Sequence, residues 1–452
     1  MTTRRAGWLL VALSVGAVLL GGFSYAARDA DTPEPSEASL PTPFLIARMP
    51  WTLAGMDAVI YNPVSGRYVV FLRVAYSLKL SRLFTRVYKP DGTPASGLRM
   101  ACEITSAIIS VDVAYNAKDD RFLVVASYGN DKTMYDGIKA GVLDGQGRLV
   151  ANQPFIEIKE QTEPFTGLMP QAVWIAETDQ YAVSWNSWSY LKPTDPSNGH
   201  YLAVLNADLS FKIRGRQVRQ QAVLREEPFI ASICPVGGRL LWGSAEMVGS
   251  SWVKPVAWFT DLKGKVLTDY GYDGILSPGP MVKAGGAVAA AGNPDQDRIL
   301  LHWNVADNIQ MNKQTFAKNF FRIMDEEGAF VSAPKALPKT SAFQPPGAAV
   351  FNSGEGRFFV VAPEYRVVSH GSLGSYGMKL RGFYVDAQGR IEDKAGNDRI
   401  IGYDLTKAVL DPHKSSVLEA LAYDPGTSSY FIGYGIGDEY AKTVDFMGII
   451  YK

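Results

Sequence analysis

Short apolar runs that open directly after a small polar turn recur seven times along this chain. Their anchor residues are spaced 54, 59, 59, 59, 59 and 72 positions apart, in the order Tyr68, Phe122, Tyr181, Leu240, Ile299, Phe358 and Tyr430. A period of this length is typical of stacked or radially arranged modules, none of which can bury its apolar face alone. The pattern therefore predicts a repeat fold.

Each repeat carries the elements of four strands. An apolar run such as Asp57–Tyr61 is followed by a turn rich in Asn, Asp, Pro and Gly and then by the anchor run, which together indicate a hairpin. A third run ends at a turn of the form Asp-x-x-Gly, and a short fourth strand follows. Four antiparallel strands in about 60 residues are typical of a propeller blade. We therefore predict an all-β fold, a seven-bladed β-propeller of four-stranded antiparallel blades.

The two ends of the repeat region predict how the ring closes. The last repeat stops at its third strand, Met447–Lys452, and a spare strand, Phe44–Arg48, precedes the first repeat. We expect Phe44–Arg48 to pair beside Gly448–Tyr451 and complete the seventh blade. Such closure removes the exposed sheet edges that an open array would leave.

These repeats resemble those of secreted bacterial β-propeller repeat proteins. Val113–Asn116, Arg121–Val125 and Asp144–Gly147 are similar to the family's first strand, second strand and closing turn. The resemblance covers about residues 44–452 and implies blade architecture, whereas the functions within the family are diverse. The fourth repeat departs most, because Ile233-Cys234-Pro235 replaces the usual Tyr-Asn.

The N-terminus predicts export. Residues 1–26 have the form of a signal peptide, with Arg4 and Arg5 before an apolar stretch at 7–23 and small residues at Ser24 and Ala26. An uncleaved anchor formed by residues 7–23 is the alternative. Residues 27–43 are rich in Pro, Ser, Thr and acids and are expected to be a flexible linker before a propeller at 44–452. The protein is thus expected to be periplasmic or extracellular, with membrane contact only through such an anchor.

The composition of the chain limits the classes of binding partner and the cross-links that it can form. The 452 residues include 45 Lys plus Arg and 45 Asp plus Glu, a neutral balance that argues against nucleic acid as a partner. The two cysteines, Cys102 and Cys234, fall in different repeats and are expected to be separate buried thiols.

No catalytic motif is present, and we predict neither a cofactor nor a metal. The Asp-x-x-Gly turns offer one carboxylate each, too few for a calcium loop. His200, His370 and His413 fall in long connections but lack the spacing of zinc ligands. Arginines that precede second strands, such as Arg239 and Arg357, are expected to pair locally. Acids in long connections could form the catalytic pair of a glycosidase: Asp131, Asp136, Glu246, Asp307, Glu364, Asp438 and Glu439.

The connections between second and third strands are long and rich in aromatic residues, and they should share one face with the linkers between repeats. Clustered Trp and Tyr on a rigid scaffold suit sugar rings or a protein partner. The candidate binding residues are Trp185, Trp188, Tyr190, Tyr128, Tyr135, Trp252, Trp303, Tyr376 and Tyr440. The sequence favours a non-enzymatic propeller that binds an extracellular or envelope protein or glycan through this long-loop face. A carbohydrate-active enzyme, a hydrolase or lyase with loop carboxylates over the central channel, is the alternative.

Overall fold

The structure is a computed structural model. It describes residues 40–452 apart from 51–53, 78, 130–136, 152–154, 160–165, 189–194, 221–231, 249–251, 271–283, 286–288, 294–296, 307–308, 311–312, 315–317, 341–346, 368–375, 401, 408–413 and 439. The predicted signal peptide and most of the predicted linker lie outside the described residues. All regular secondary structure in the described part is β-strand, and this part contains no helix long and apolar enough to cross a membrane.

The first strand of the chain belongs to the last blade, and the next three blades follow in order. The strands are Phe44–Pro50 (β1); Ala54–Asn62 (β2), Arg67–Ser77 (β3), Leu80–Tyr88 (β4) and Arg99–Ile104 (β5) in blade 1; Ala107–Asn116 (β6), Arg121–Gly129 (β7), Gly137–Asp144 (β8) and Ile156–Lys159 (β9) in blade 2; and Thr166–Ile175 (β10), Gln180–Trp188 (β11), Gly199–Asn206 (β12) and Phe211–Gln220 (β13) in blade 3. Each blade is a meander in which neighbouring strands pair antiparallel.

Blades 4 to 7 keep this order with two interruptions. Their strands are Ser232–Val236 (β14), Arg239–Val248 (β15), Trp252–Asp261 (β16) and Val266–Asp269 (β17) in blade 4; Ala284–Gly285 (β18), Ala289–Asn293 (β19), Arg298–Ala306 (β20), Ile309–Gln310 (β21), Lys313–Gln314 (β22), Lys318–Asp325 (β23) and Lys335–Ala336 (β24) in blade 5; Ala348–Asn352 (β25), Arg357–Val367 (β26), Tyr376–Val385 (β27), Ile391–Glu392 (β28) and Tyr403–Asp404 (β29) in blade 6; and Lys414–Asp424 (β30), Ser429–Asp438 (β31) and Thr443–Tyr451 (β32) in blade 7. β18 and β19 both pair with β20, and β28 and β29 both pair with β27. The first strand of blade 5 and the fourth strand of blade 6 are therefore each divided in two.

The first strands of the seven blades form the innermost layer of a closed ring. Each of β2, β6, β10, β14, β19, β25 and β30 contacts the first strand of the next blade, and β30 contacts β2. Among the described residues, seven hydrophobic clusters lie between consecutive blades, one at each interface, including the interface between blades 7 and 1. The predicted seven-bladed propeller is confirmed.

Closure by the N-terminal strand is also confirmed, with a different register. β1 pairs antiparallel with β32, so that Phe44 lies opposite Gly448 and Pro50 opposite Thr443. Because the strands run in opposite directions from the Phe44 contact, the partner segment is Thr443–Gly448 rather than the predicted Gly448–Tyr451. The Arg48 guanidinium holds the Asp445 carboxylate at 2.6 Å across this pair.

The Asp-x-x-Gly turns are held by their own carboxylates. In the turn after β8, the Asp144 carboxylate accepts the backbone N–H groups of Gln146 and Arg148, both at 2.9 Å, and Gly147 has a φ of 73° that favours glycine. Asp261 and Asp386 act in the same way. These carboxylates are therefore used within the turns.

The two cysteines are separate buried thiols, as predicted. Burial raises the pKa of each thiol to about 12. The prediction for Arg239 and Arg357 also holds, because Arg239 donates to the Glu326 carbonyl and Arg357 donates to the carbonyls of Asp393 and Lys394.

Candidate functional site in the central channel

Three of the nine candidate aromatic residues, Trp185, Trp303 and Tyr128, are packed inside the propeller. Trp185 is 4% exposed and stacks on Tyr201 at 5.7 Å, and Trp303 is fully buried and stacks on Phe320 at 6.2 Å. Both pairs are directly opposite residues on neighbouring strands. Such cross-strand pairs stabilise a sheet, and buried rings cannot contact a ligand at the surface. For Trp185 and Trp303, the expected surface location was wrong.

Tyr128 is also nearly closed to solvent. Its ring lies 4.2 Å below the Lys139 ammonium, and its hydroxyl donates to the Glu157 carboxylate. Tyr440 is 76% exposed and remains available to a partner. Trp188, Trp252 and Tyr376 lie in strands, but their side chains are outside the described part, as are Tyr135 and Tyr190 altogether. The described residues thus do not bring the nine side chains to one surface.

The described loop acids have structural partners. Glu364 accepts a hydrogen bond from buried Arg381 at 2.7 Å, and Asp438 accepts the backbone N–H groups of Tyr440 and Ala441. Asp131, Asp136, Asp307 and Glu439 lie outside the described residues, as does the side chain of Glu246. The predicted loop pair therefore finds no support in the described part of the chain.

Of the three histidines that were expected in long connections, only His200 is described, and it lies in strand β12. It is fully buried between blades 3 and 4, where its Nδ1 lies 2.5 Å from the Asn186 Oδ1 and its Nε2 lies 3.3 Å from the Ser244 Oγ. Burial lowers the pKa of His200 to about 3. Ser244, His200 and Asn186 are arranged like the serine, histidine and orienting residue of a nucleophilic triad. Ser244 is also fully buried, however, and no substrate can reach it. Among the described residues, no group of three His, Cys, Asp or Glu side chains could hold a metal ion.

The clearest concentration of unusual chemistry lies on the innermost strands of blades 7, 1 and 2. We call it the channel carboxyl cluster, and it consists of Asp57, Asp112 and Glu419 on these strands and of Arg73 on β3, the second strand of blade 1. Each first strand begins at the long-loop face, because the linkers between blades lie there. Asp57 is the fourth residue of β2, and Asp112 and Glu419 are the sixth residues of β6 and β30. The three acids therefore lie near the middle of their strands, between the two faces of the propeller.

Local strand irregularities set the positions of two of these acids. The register of β2 shifts between Met56 and Ala58, and that of β30 shifts between Leu418 and Ala420. Asp57 and Glu419 are thus the extra residues of two bulges, which redirect side chains out of the regular alternation. Bulges are common next to functional sites for this reason.

Two of the acids bridge neighbouring blades. The Asp112 Oδ2 accepts the backbone N–H of Ala172 at 2.7 Å, from the first strand of blade 3. Asp57 is held by the Arg73 Nε at 2.7 Å and lies near the Val111 backbone of blade 2, which favours the charged form of Asp57. The inner edge of a first strand has no neighbouring strand, so the Asp112 carboxylate satisfies an N–H group that would otherwise need water.

Hydrogen-bonding capacity nevertheless remains unused in the cluster. The Asp57 side chain is 6% exposed, and its Oδ2 has no hydrogen-bond partner in the described structure. No described residue donates a hydrogen bond to the Glu419 carboxyl. A buried, unpartnered carboxylate oxygen is costly, so it indicates a position for a hydroxyl or amide donor from a bound molecule or water.

The surroundings raise the pKa of all three acids, most clearly that of Glu419. Burial raises the pKa of Glu419 to about 8; the Asp57 charge adds to this and the Arg73 charge opposes it. Burial likewise raises the pKa of Asp112 to about 7, against the hydrogen bond from Ala172. The pKa of Asp57 is also raised by burial, with Arg73 opposing. The cluster can therefore both donate and accept hydrogen bonds while carrying little net charge.

The sequence did contain a signal for this site. The apolar runs of blades 1, 2, 3 and 7 each open on a polar residue, in the order Asp57, Asp112, Gln171 and Glu419. A polar residue that recurs at the start of these apolar runs has no role in a hydrophobic interface. The recurrence could have been recognised without a structure, whereas the bulges that reorient Asp57 and Glu419 could not.

Comparison with protein-family models gave no match, and comparison with curated proteins gave none either. Among solved structures, the chain is similar to prolyl oligopeptidase B from Galerina marginata, with 13% identity, a TM-score of 0.42, and coverage of 86% of this chain and 47% of that one. It thus spans about half the length of that enzyme.

Two shorter structures are also similar. The GH93 α-L-arabinofuranosidase of Fusarium graminearum has 10% identity and a TM-score of 0.44, with coverage of 76% of this chain and 92% of that one. The Dos1 propeller has 11% identity and a TM-score of 0.41, with coverage of 90% and 95%. Similarities of this size do not bear on function.

Proposed function

We propose that this protein is an exported, non-enzymatic propeller that binds a glycan or protein partner on its long-loop face, with the channel carboxyl cluster at the base of the binding site. The observation that carries the proposal is the unpartnered Oδ2 of Asp57, which lies on an innermost strand beside the protonated Glu419. Loops and channel mouths on a rigid scaffold are the usual place for recognition.

A hydroxyl-rich ligand suits this cluster best. Protonated Glu419 can donate to a hydroxyl oxygen, and the free Asp57 Oδ2 can accept from a hydroxyl hydrogen. Because Arg73 balances Asp57, the site exerts little attraction on a cation. A sugar residue that enters the channel mouth would satisfy both groups, and the exposed Tyr440, in the connection after β31, would contact the rest of the glycan.

A glycan array probed with the chain from residue 27 onward tests this proposal. We expect glycan binding that is weakened at least about tenfold by Asp57→Asn. The amide keeps only one of the two acceptor oxygens of the carboxylate and puts a donor NH2 group in place of the other. Glu327→Gln, an exposed acid on a turn of blade 5, is the matched control. Glycan or protein binding that is unchanged in Asp57→Asn and Glu419→Leu would place the ligand elsewhere.

A carbohydrate-active enzyme remains the second candidate, and one observation favours it. Glu419 is protonated near neutral pH beside Asp57, which is paired with Arg73, and two carboxyl groups in different environments are the requirement for acid and base roles in glycoside hydrolysis. Assays with aryl glycosides and polysaccharides test this candidate. Turnover by the wild type that is abolished in both Glu419→Gln and Asp57→Asn would replace the binding proposal.

Export is part of the proposal and needs its own measurement. Cell fractionation followed by N-terminal sequencing distinguishes cleavage after Ala26 from an uncleaved anchor at residues 7–23. A mature chain beginning at Ala27 is expected. A full-length protein in the soluble cytoplasm would contradict export.

A further inference from the structure

The outer rim between blades 3 and 4 carries a group of exposed cations that we call the basic rim. Lys212, Arg214 and Arg216 lie on β13, the outermost strand of blade 3, and Lys263 and Lys265 lie on the turn that precedes β17 in blade 4. All five residues are exposed. With ten residues, β13 is also the longest of the outermost strands in the described structure.

The two parts of the basic rim form one surface. A Cβ atom at Gly264 would come within 3.4 Å of the Arg216 Cδ, so the blade 4 turn packs directly against β13. Gly264 has a φ of 77°, and its lack of a side chain permits this close approach. Arg219, further along β13, crosses to blade 4 as well, where it pairs with Asp269 at 2.7 Å and lies 4.7 Å over the Trp258 ring.

Four of these cations have no acidic partner among the described residues. No ion pair among the described residues involves Lys212, Arg216, Lys263 or Lys265, and the Asp261 carboxylate next to them is occupied by the N–H groups of its own turn. The chain as a whole has equal numbers of acids and bases. A local excess of positive charge on a neutral protein creates a positive potential that attracts an anionic partner.

Several features narrow the class of partner. The pairing of β13 with β12 shifts register at three places, so its backbone does not offer the regular edge that an added peptide strand needs. The only aromatic ring on this part of β13 is half-buried Phe211, which lies 5.2 Å below Arg214 and leaves no exposed platform for stacking nucleic acid bases. Val266 and Leu267 are exposed, but successive strand residues point to opposite sides and so do not form an apolar patch for a membrane.

With these classes of partner excluded, an extended polymer with regularly spaced anionic groups fits the basic rim best. Cations at alternate positions of a strand are roughly 7 Å apart, and arginine side chains bind carboxylate and sulfate groups through two parallel hydrogen bonds. We propose that the basic rim binds an acidic polysaccharide, one that bears carboxylate or sulfate groups, along β13 and the blade 4 turn. This surface begins at the face that carries the turns between third and fourth strands. That face is at the opposite end of the strands from the long-loop face, so the basic rim is separate from the proposed ligand site.

Titration of the purified protein with polygalacturonate and with dextran sulfate tests this inference, with neutral dextran as the reference polymer. We expect binding to at least one acidic polymer, none to dextran, and affinity about tenfold weaker in the double variant Arg216→Ala, Lys263→Ala. The slope of log affinity against log salt concentration should fall by about one for each removed cation. The matched control is Arg99→Ala, Lys335→Ala, which removes two exposed cations from the outermost strands of blades 1 and 5.

Several outcomes would overturn the inference. These are the absence of wild-type binding to both acidic polymers, equal affinity in the rim and control variants, and tighter binding to duplex DNA or to phosphatidylglycerol vesicles than to either polysaccharide. Melting temperatures of both double variants verify that they fold. Asp57→Asn should leave this binding intact, so failure of the channel proposal and failure of this one are distinguishable.

Discussion

Glu419 gives the sharpest test of the channel carboxyl cluster, because its pKa makes the stability of the whole propeller depend on pH. The folded protein holds the Glu419 proton up to a pKa of about 8, whereas the ordinary value is 4.5. Between these two values the folded state binds a proton that the unfolded state releases. The free energy of unfolding that Glu419 contributes is therefore fully present below pH 4.5 and is lost as the pH rises through 8.

The size of this effect follows from the same two values. Each unit of difference corresponds to about 1.4 kcal/mol, so complete burial would make the loss about 4–5 kcal/mol between pH 4.5 and 9. Because Glu419 is only half-buried, solvent reduces the penalty on the charged form, and we expect a loss of about 2–3 kcal/mol. Asp112 acts in the same direction, from an ordinary value of 3.8 to about 7, so part of the pH dependence remains when Glu419 is replaced.

The measurement is urea denaturation at pH 5, 7 and 9 for the wild type, Glu419→Gln and the exposed-site control Glu327→Gln. The difference in free energy of unfolding between wild type and Glu419→Gln should change by about 2–3 kcal/mol across this range, with the wild type losing more stability as the pH rises. The control should follow the wild type. Parallel curves for wild type and Glu419→Gln, or a wild type that gains stability from pH 5 to 9, would refute our account of this site.

Three further predictions concern the fold. Trp303→Ala should cost about 3–5 kcal/mol of stability, because it empties a buried position between blades 4 and 5, and a melting temperature equal to that of the wild type would show that the ring is not in the core. In the closing strand, Ile46→Asp buries a charge between blades 7 and 1 and should expose β1 to rapid proteolysis, whereas Leu45→Asp, at a position that is 49% exposed, should not; equal digestion rates would contradict the closure. Cys102 and Cys234 should resist a thiol reagent at pH 8 in the native state and take up two equivalents after denaturation without reductant, and uptake by the native protein would contradict their burial and raised pKa.

The architecture could be predicted from sequence because every blade repeats the same local rules. The spacing of the anchor residues, the Asp-x-x-Gly turns and the strand left over at each end all depend on neighbouring residues, and each proved correct in the structure. The register of β1 against β32 could not be obtained in this way. It depends on where Phe44 packs on Gly448, a contact between residues at opposite ends of the chain.

The candidate aromatic residues show where local reasoning failed. Trp185 and Trp303 are each the sixth residue of a second strand, and Leu72, Ala126 and Ala362 occupy the same position in other blades, all buried. Strict alternation along the strand places this position on the face toward the preceding blade. Alignment of the repeats would have assigned both tryptophans to the core, whereas their proximity to a long connection suggested a surface location.

Differences among the blades also separate a structural role of the channel carboxyl cluster from a functional one. If a propeller of this kind needed a carboxylate on each innermost strand to satisfy the inner backbone edge, blade 6 would carry one. Blade 6 has Gly347 and Ala348 where blade 1 has Asp57 and Ala58 and blade 7 has Glu419 and Ala420, and its first strand still pairs and packs. Ionisation of Asp57, Asp112 or Glu419 destabilises the folded state, and the ring forms without such acids elsewhere. Their grouping on three adjacent blades is therefore not a requirement of the fold, in line with our proposal that they contact a ligand.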